Sequence, residues 1–437
     1  MSVTIEKINY PSVGETVYTG MLGNGLKIYV IPKPGFSSAY AAFATHYGGA
    51  MRRFAVGGEM IDTPAGVAHF LEHKMFDMPD GSNALTLFSQ NGADPNAFTS
   101  SDITCYHFSC TEGFEENLRL LLSYVSTPYY TPETVQKEQG IIGQEIRMGD
   151  DSPARCIYYN LLSLLYDHHP IRDAVVGTVE SIAGITDETL YACHKVFYAP
   201  SNMVLCVEGD VDPELVFSVA EEMLPKERRP IPRADYGAPE GLLPLQTRKE
   251  ERMSVAVPEF LMGIKIRDEV PSEEEGGMRT RLHRRLVASL ALRMLFGNSS
   301  PLYTRLYADG TLTQDFDFDT DYSAGTAIVL IGAEATDVDK ALEEVHAEIA
   351  RIAREGFDRA YFERIRKAMI GGRLRALEDF DNVCVTLAQD WFDGFCTFDT
   401  MDLFWEVTCD ECTRWVAENL IPERCAVSVL LPLGDKA

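Results

Sequence analysis

The sequence predicts an α+β fold built as two halves, on three observations. The chain has 437 residues, more than one core organises at roughly 100–200 residues per domain. Its densest run of proline falls near the middle. On both sides of that run, short β-branched or aromatic segments mix with longer helix-patterned ones. They do not alternate regularly as β-α-β-α, which favours α+β over a doubly wound sheet.

The first half opens with strand-like Leu26–Ile31 and Ala41–His46, and Ile103–Cys110 and Met203–Glu208 follow; all are short and rich in Val, Ile, Thr or aromatic residues. Helical patterns lie at Val67–Phe76, Gly113–Val125, Pro132–Met148 and Pro153–Leu165. Leu224–Leu245 then holds Pro225, Pro230, Pro232, Pro239 and Pro244. Proline at that density continues neither a helix nor a central strand, so the stretch reads as an extended linker. The expected division is therefore 1–224, a linker at 225–250, and 251–437. In the second half, Arg279–Leu295, Val338–Glu355 and Asp358–Leu377 read as helices, Val255–Ile266, Thr326–Ile331 and Ala426–Leu431 as strands, and Pro271–Gly277 as a loop.

Composition narrows the function. Asp and Glu total 66 against 39 Lys and Arg, a net charge of -27. Nucleic-acid binding rests on cationic contacts to phosphate, so this balance argues against it; it suits plain solubility or attraction of a basic peptide. No run of 18 apolar residues suggests a membrane span. The first twenty residues lack the apolar stretch of a signal peptide. Ten scattered cysteines read as reduced core residues, and the chain as cytoplasmic.

The sharpest chemical feature is His69-Phe70-Leu71-Glu72-His73, within a helix-compatible run. On a helix, His69 and His73 are four apart, about 40° around the axis, so both imidazoles can reach one ion. Glu72 flanks the same face. This is HxxEH, the inversion of HExxH. Neutral imidazole is a good zinc ligand, and the neighbouring carboxylate can take a proton from water. A helix carrying two exposed histidines and a solvated Glu would share the pattern, but a run so rich in Val, Phe, Leu and Met fits exposure poorly.

A catalytic zinc needs a third protein ligand. The segment Thr131–Asp150 offers one. Thr131 can cap the helix and Pro132 can open it. Glu138 and Glu145 are seven apart and share a face. Gly140 and Gly143 lie between them; glycine in a helix costs about 1 kcal/mol against alanine, and close approach to another helix would explain that. Glu145 is assigned as the third ligand, and Glu138 as a hydrogen-bond partner supporting the site.

HFLEH, then NAFTSSDITCYHF, then KEQGIIGQEI together resemble the pitrilysin, insulysin and mitochondrial processing peptidase family of zinc metallopeptidases, and within it a bacterial YmfH-like subgroup. The similarity runs from about Leu22 to the end and is strongest over Gly66–Asn202. The resemblance implies two similar domains, each a mainly antiparallel sheet packed by helices, forming half of a clamshell. It implies one zinc ion per chain on His69, His73 and Glu145, with Glu72 as general base and Glu138 in support. It also implies that Asn96, Ala97, Phe98 and Thr99 form a strand edge pairing with an extended peptide substrate.

One departure bears on partners. The family's second half usually carries an Arg and a nearby Tyr that bind the substrate carbonyl. In Ser300–Tyr322, Tyr307 stands where the Arg is expected and Gln314 about where the Tyr is; Arg305 is out of register. The resemblance thus implies a paralogous partner chain supplying both, with a homodimer as the alternative. The expected function is a zinc endopeptidase acting on short or unfolded peptides as the metal-bearing subunit of a two-chain enzyme. The competing expectation is a non-catalytic interaction subunit keeping the fold.

Other candidates carry less. His168 and His169 precede Pro170 in a loop. His107 reads as a packed strand histidine. Asp315, Asp317, Asp319 and Asp321 alternate along a strand face but lack the glycine and terminal glutamate of a calcium loop. Cys409 and Cys412 form a CxxC without a second pair.

Overall fold

The computed structural model describes residues 4–434. β1 (Glu6–Tyr10) and β2 (Glu15–Met21) make an antiparallel hairpin whose first strand is largely exposed. β3 (Lys27–Pro32) and β4 (Ala39–Thr45) are apolar nearly throughout and are buried on both faces, as central strands covered by helices are. β5 (Arg53–Val56) and β6 (Glu59–Asp62) turn at Gly57–Gly58. Next come α1 (Val67–Lys74), α2 (Ala84–Gln90), β7 (Ala93–Thr99), β8 (Thr104–Cys110), α3 (Phe114–Ser126) and α4 (Pro132–Asp150). α5 (Pro153–Leu165), α6 (Val179–Ile182), α7 (Asp187–Phe197), β9 (Met203–Gly209), α8 (Pro213–Met223) and β10 (Arg233–Ala234) complete the first half.

The second half runs β11 (Arg248–Met253), β12 (Glu259–Lys265), α9 (Gly277–Phe296), α10 (Pro301–Ala308), β13 (Asp317–Asp321) and β14 (Ile328–Glu334). It ends with α11 (Val338–Glu355), α12 (Arg359–Ala376), α13 (Phe380–Asp393), α14 (Thr400–Glu406), α15 (Cys409–Asn419) and β15 (Cys425–Pro432).

One sheet has the order β1-β2-β3-β9-β4-β8-β7, and another β11-β15-β12-β14-β13. Leaving out the β1–β2 hairpin, each sheet places its five strands in the same order: first, last, second, fourth, third. In each, the first and last strands pair in parallel and every other pair is antiparallel. The fold is therefore α+β with two similar domains. The duplication is explicit in the topology, although the two halves share no repeat visible in the residues.

The compact units are not the two continuous stretches on either side of 225–250. One comprises residues 1–146, 173–236 and 374–398, the other 147–172, 237–373 and 399–437. The exchange has a packing cause. Helix α5 buries Ile157, Leu161, Leu162, Leu164 and Leu165, and Gly263 on β12 has only hydrogen where a Cβ would meet Leu161 at 2.9 Å. Helix α13 buries Phe380, Val383, Cys384, Leu387 and Ala388 in one core with Tyr29, Ile31, Ala42 and Cys206 of the first sheet. The opposite face of that sheet forms a separate core with residues of α1, α3, α7 and α8.

Candidate metal centre

Helix α1 starts at Gly66, whose φ is 95°. A side chain there would be strained by that left-handed backbone, and its Cβ would lie 2.8 Å from the carbonyl oxygen of Val176. The helix is buried nearly all round. Phe70 and Leu71 are fully buried, and even Lys74, paired with Asp77, is 1% exposed. His69 and Glu72 are held at 8% and 9% exposure, so the helix carries its polar groups into the fold.

Helix α4 supplies the facing carboxylates. The Thr131 hydroxyl accepts the Thr134 N–H, capping the helix as its sequence predicts. His69 Nε2 lies 3.4 Å from Glu145 Oε1, and His73 Nε2 lies 3.6 Å from Glu145 Oε2. One ligand atom from each of His69, His73 and Glu145 falls within 4.8 Å of the others. Among the described residues this is the one group of three or more His, Cys, Asp or Glu that converges so. Two imidazole nitrogens and a carboxylate oxygen are a donor set zinc accepts, with a fourth position left over.

Glu138 approaches from the same helix: its Oε1 is 3.0 Å from His73 Nδ1. With the proton on Nδ1, the Nε2 lone pair is directed toward Glu145. Burial works against a charged His73, but the hydrogen bond and charge of Glu138, with the charges of Glu72 and Glu145, outweigh it and raise its pKa above the usual imidazole value. His69 Nδ1, by contrast, is buried without a hydrogen-bond partner.

Glu72 is held from the sheet. Thr99 Oγ1 donates to Glu72 Oε2 at 2.5 Å. Thr99 ends β7, which among the described residues pairs only with β8 and so leaves one edge of the sheet open. Asn96, Ala97, Phe98 and Thr99 all lie on that edge strand, and the Asn96 side chain accepts the Ala97 N–H. Pro95 sits in the same strand, where only an edge tolerates it.

Gly140 of α4 does not serve as expected. A Cβ on Gly140 would meet nothing within 4 Å, so no close helix contact explains it. Gly143 is buried.

The model for insulinase (peptidase family M16) matches residues 56–179, and that for the peptidase M16 inactive domain matches residues 184–369. The uncharacterized zinc protease YmfH of Bacillus subtilis is 36% identical over 431 residues, covering 98% of this chain and 99% of that one. The chain belongs to the M16 peptidase family. A solved putative M16-like peptidase from Alicyclobacillus acidocaldarius is 31% identical, with a TM-score of 0.89 over 99% of this chain and 100% of its own. A protease from Helicobacter pylori shares the fold at 18% identity, with a TM-score of 0.81 over 99% of this chain and 100% of its own.

In this M16 chain the converging residues all fall inside the insulinase match, and Tyr307 and Gln314 inside the inactive-domain match. Tyr307 is 54% exposed on α10 and stacks on Tyr303 at 5.4 Å. Gln314 donates to Glu334, and Arg305 pairs with Glu344 at 2.7 Å. His107 stacks on Tyr40, and burial lowers its pKa. Burial likewise pushes His169 down to about 4, while His168 Nε2 lies 2.9 Å from the carbonyl oxygen of Ala238. Asp317, Asp319 and Asp321 lie on β13, with Asp321 accepting the Tyr158 hydroxyl; Asp315 accepts from Asn298. Cys409 and Cys412 sit in the first turn of α15, and the ten cysteines are free. No helix of the described residues is long and apolar enough to cross a membrane.

The sequence reading did not single out Thr104 and Gly48. Thr104 is fully buried beneath Thr99, its hydroxyl 2.8 Å from the Tyr47 carbonyl oxygen. A Cβ on Gly48 would lie 2.2 Å from Asp102 N. The Gly48-Gly49 pair in HYGGAM was the available signal, since paired glycines mark close backbone approach.

Proposed function

We propose that this chain is a zinc-dependent endopeptidase acting on short or unfolded peptides. The observation carrying the reading is the convergence of His69, His73 and Glu145 from two helices, with Glu72 on the histidines' own helix and its charge felt at His73. His69 Nε2, His73 Nε2 and a Glu145 oxygen would hold the ion, and Glu138 would orient His73. Zinc, when bound, supplies Lewis-acid polarisation of the scissile carbonyl and makes water easier to deprotonate.

Glu72 takes a proton from the attacking water and returns it to the leaving amine. Near-complete burial of Glu72 keeps competing solvent away from that exchange. The open edge of β7 at Asn96–Thr99 pairs with the backbone of an extended peptide, which selects for unfolded substrates with little dependence on side chains. Tyr307 and Gln314 do not provide the cationic and phenolic groups expected for carbonyl binding. We therefore assign the chain the metal-bearing role in a two-chain enzyme, with a paralogue supplying those groups.

The test is Glu72→Gln. Zinc stays bound at one per chain while peptide cleavage falls by roughly 100-fold or more, the range general-base catalysis contributes. Cleavage that survives the change refutes the reading. Assaying the chain alone and co-purified with its paralogue tests the pairing; full activity of the chain alone as a monomer refutes that part.

A further inference from the structure

We infer that Thr99 is a positioning residue for Glu72, tying the strand edge that would receive a peptide to the carboxylate that would move the proton. The inference rests on the peptidase reading above.

The bond itself is strong. A hydroxyl donating to a carboxylate at 2.5 Å is at the short end of charge-assisted hydrogen bonds. Glu72 Oε1 carries no hydrogen bond among the described residues. The terminal torsion of Glu is broad and roughly two-fold, so an untethered carboxylate would sample many orientations. Tethering Oε2 selects one and leaves Oε1 as the basic oxygen.

The tether has a firm footing. Thr99 faces Thr104 in the last register pair of β7 and β8. The two hydroxyl oxygens are 3.3 Å apart, and Thr104 also donates to the carbonyl of Tyr47 at 2.8 Å. With the Thr104 proton committed to that closer carbonyl, the Thr99 proton goes to Glu72. Beyond Thr99 the chain turns through 100–103, closed by Ser100 N–H to Ile103 O at 2.8 Å. Gly49 and Ala50 donate backbone N–H groups to the carbonyls of Ser100 and Ser101. Gly48 has no side chain because Asp102 N occupies that space.

The coupling follows from strand alternation. Phe98 packs with the core on one face of the sheet and Ala97 with the core on the other; Thr99 is two residues beyond Ala97 and shares its face, where Glu72 lies. A peptide pairing with the backbone of β7 is thereby placed relative to the same residue that sets the base.

Thr99→Val and Thr99→Ser separate hydroxyl from shape. In the zinc-loaded enzyme, in its purified assembly state, Val should lower kcat roughly 10- to 100-fold with KM within about threefold, and Ser should restore kcat to within about threefold. Zinc content should be unchanged in both. Crystal structures of the zinc-loaded forms should show Glu72 displaced or in several rotamers with Val and in its original place with Ser. Unchanged kcat with Val, equal impairment by Ser and Val, or an unmoved Glu72 in the Val variant would each overturn the inference. If the unaltered enzyme cleaves no peptide, the peptidase reading fails, while the crystallographic comparison still decides whether Thr99 sets the carboxylate.

Discussion

Glu138 on α4 and His73 on α1 meet at 3.0 Å, carboxylate to Nδ1, so a residue that faces no ligand position governs which nitrogen of His73 is available. Removing such a partner typically weakens metal binding 10- to 100-fold. Glu138→Ala is expected to lower zinc affinity by about that factor without unfolding the protein. Competition against a chromogenic chelator measures it; an unchanged affinity would show that Glu138 is incidental.

Gly48→Ala should be damaging although alanine is small. The added carbon would lie 2.2 Å from Asp102 N and 2.4 Å from the Ser101 carbonyl carbon. Both are backbone, so the β7–β8 turn must move. A loss of about 1–3 kcal/mol is expected for overpacking of this kind, read as a lower thermal midpoint together with weaker cleavage. A variant as stable and active as the original would mean the turn yields freely.

Gly140→Ala should do the reverse. The position is helical and exposed, and a Cβ there meets nothing within 4 Å. Alanine should add about 0.5–1 kcal/mol of stability, seen in denaturant titration. A loss of stability would reveal a contact at that face.

Stability should also depend on Glu208. Its side chain is fully buried on β9, 3.2 Å from Lys33, which also pairs with Glu15. Burial raises its pKa from 4.5 to about 8, against the opposing pull of Lys33. The native protein therefore holds a proton that the unfolded chain releases above pH 4.5. This contribution is full below that value, declines as pH rises toward 8, and levels off above it. Glu208→Gln should flatten that slope in unfolding measurements between pH 5 and 9. An identical slope in the variant would assign the dependence to other groups.

Much of this was legible in the residues. Helices α5 and α11 match their apolar patterns to the residue, and α1 and α4 differ from expectation only at their C-terminal ends. The helical spacing of HxxEH anticipated that the His69 and His73 imidazoles converge, and the Glu138–Glu145 spacing anticipated two carboxylates turned toward them. Strand β1 escaped because its largely exposed residues carry no core alternation. The Thr99–Glu72 bond escaped because it joins residues 27 apart from different elements. The sheet partners of α5 and α13 escaped for a similar reason: an apolar helix face reports that it is covered, not what covers it.

The exchange of α5 and α13 constrains how this protein can be made. Expressing residues 1–224 by themselves would strip Tyr29, Ile31, Ala42 and Cys206 of the helix that seals them, and would leave the leucines of α5 without their sheet. Bacterial production of either fragment should give aggregates, and co-production of both should restore soluble material. With one helix exchanged on each side, neither sequence half carries the whole of its own core.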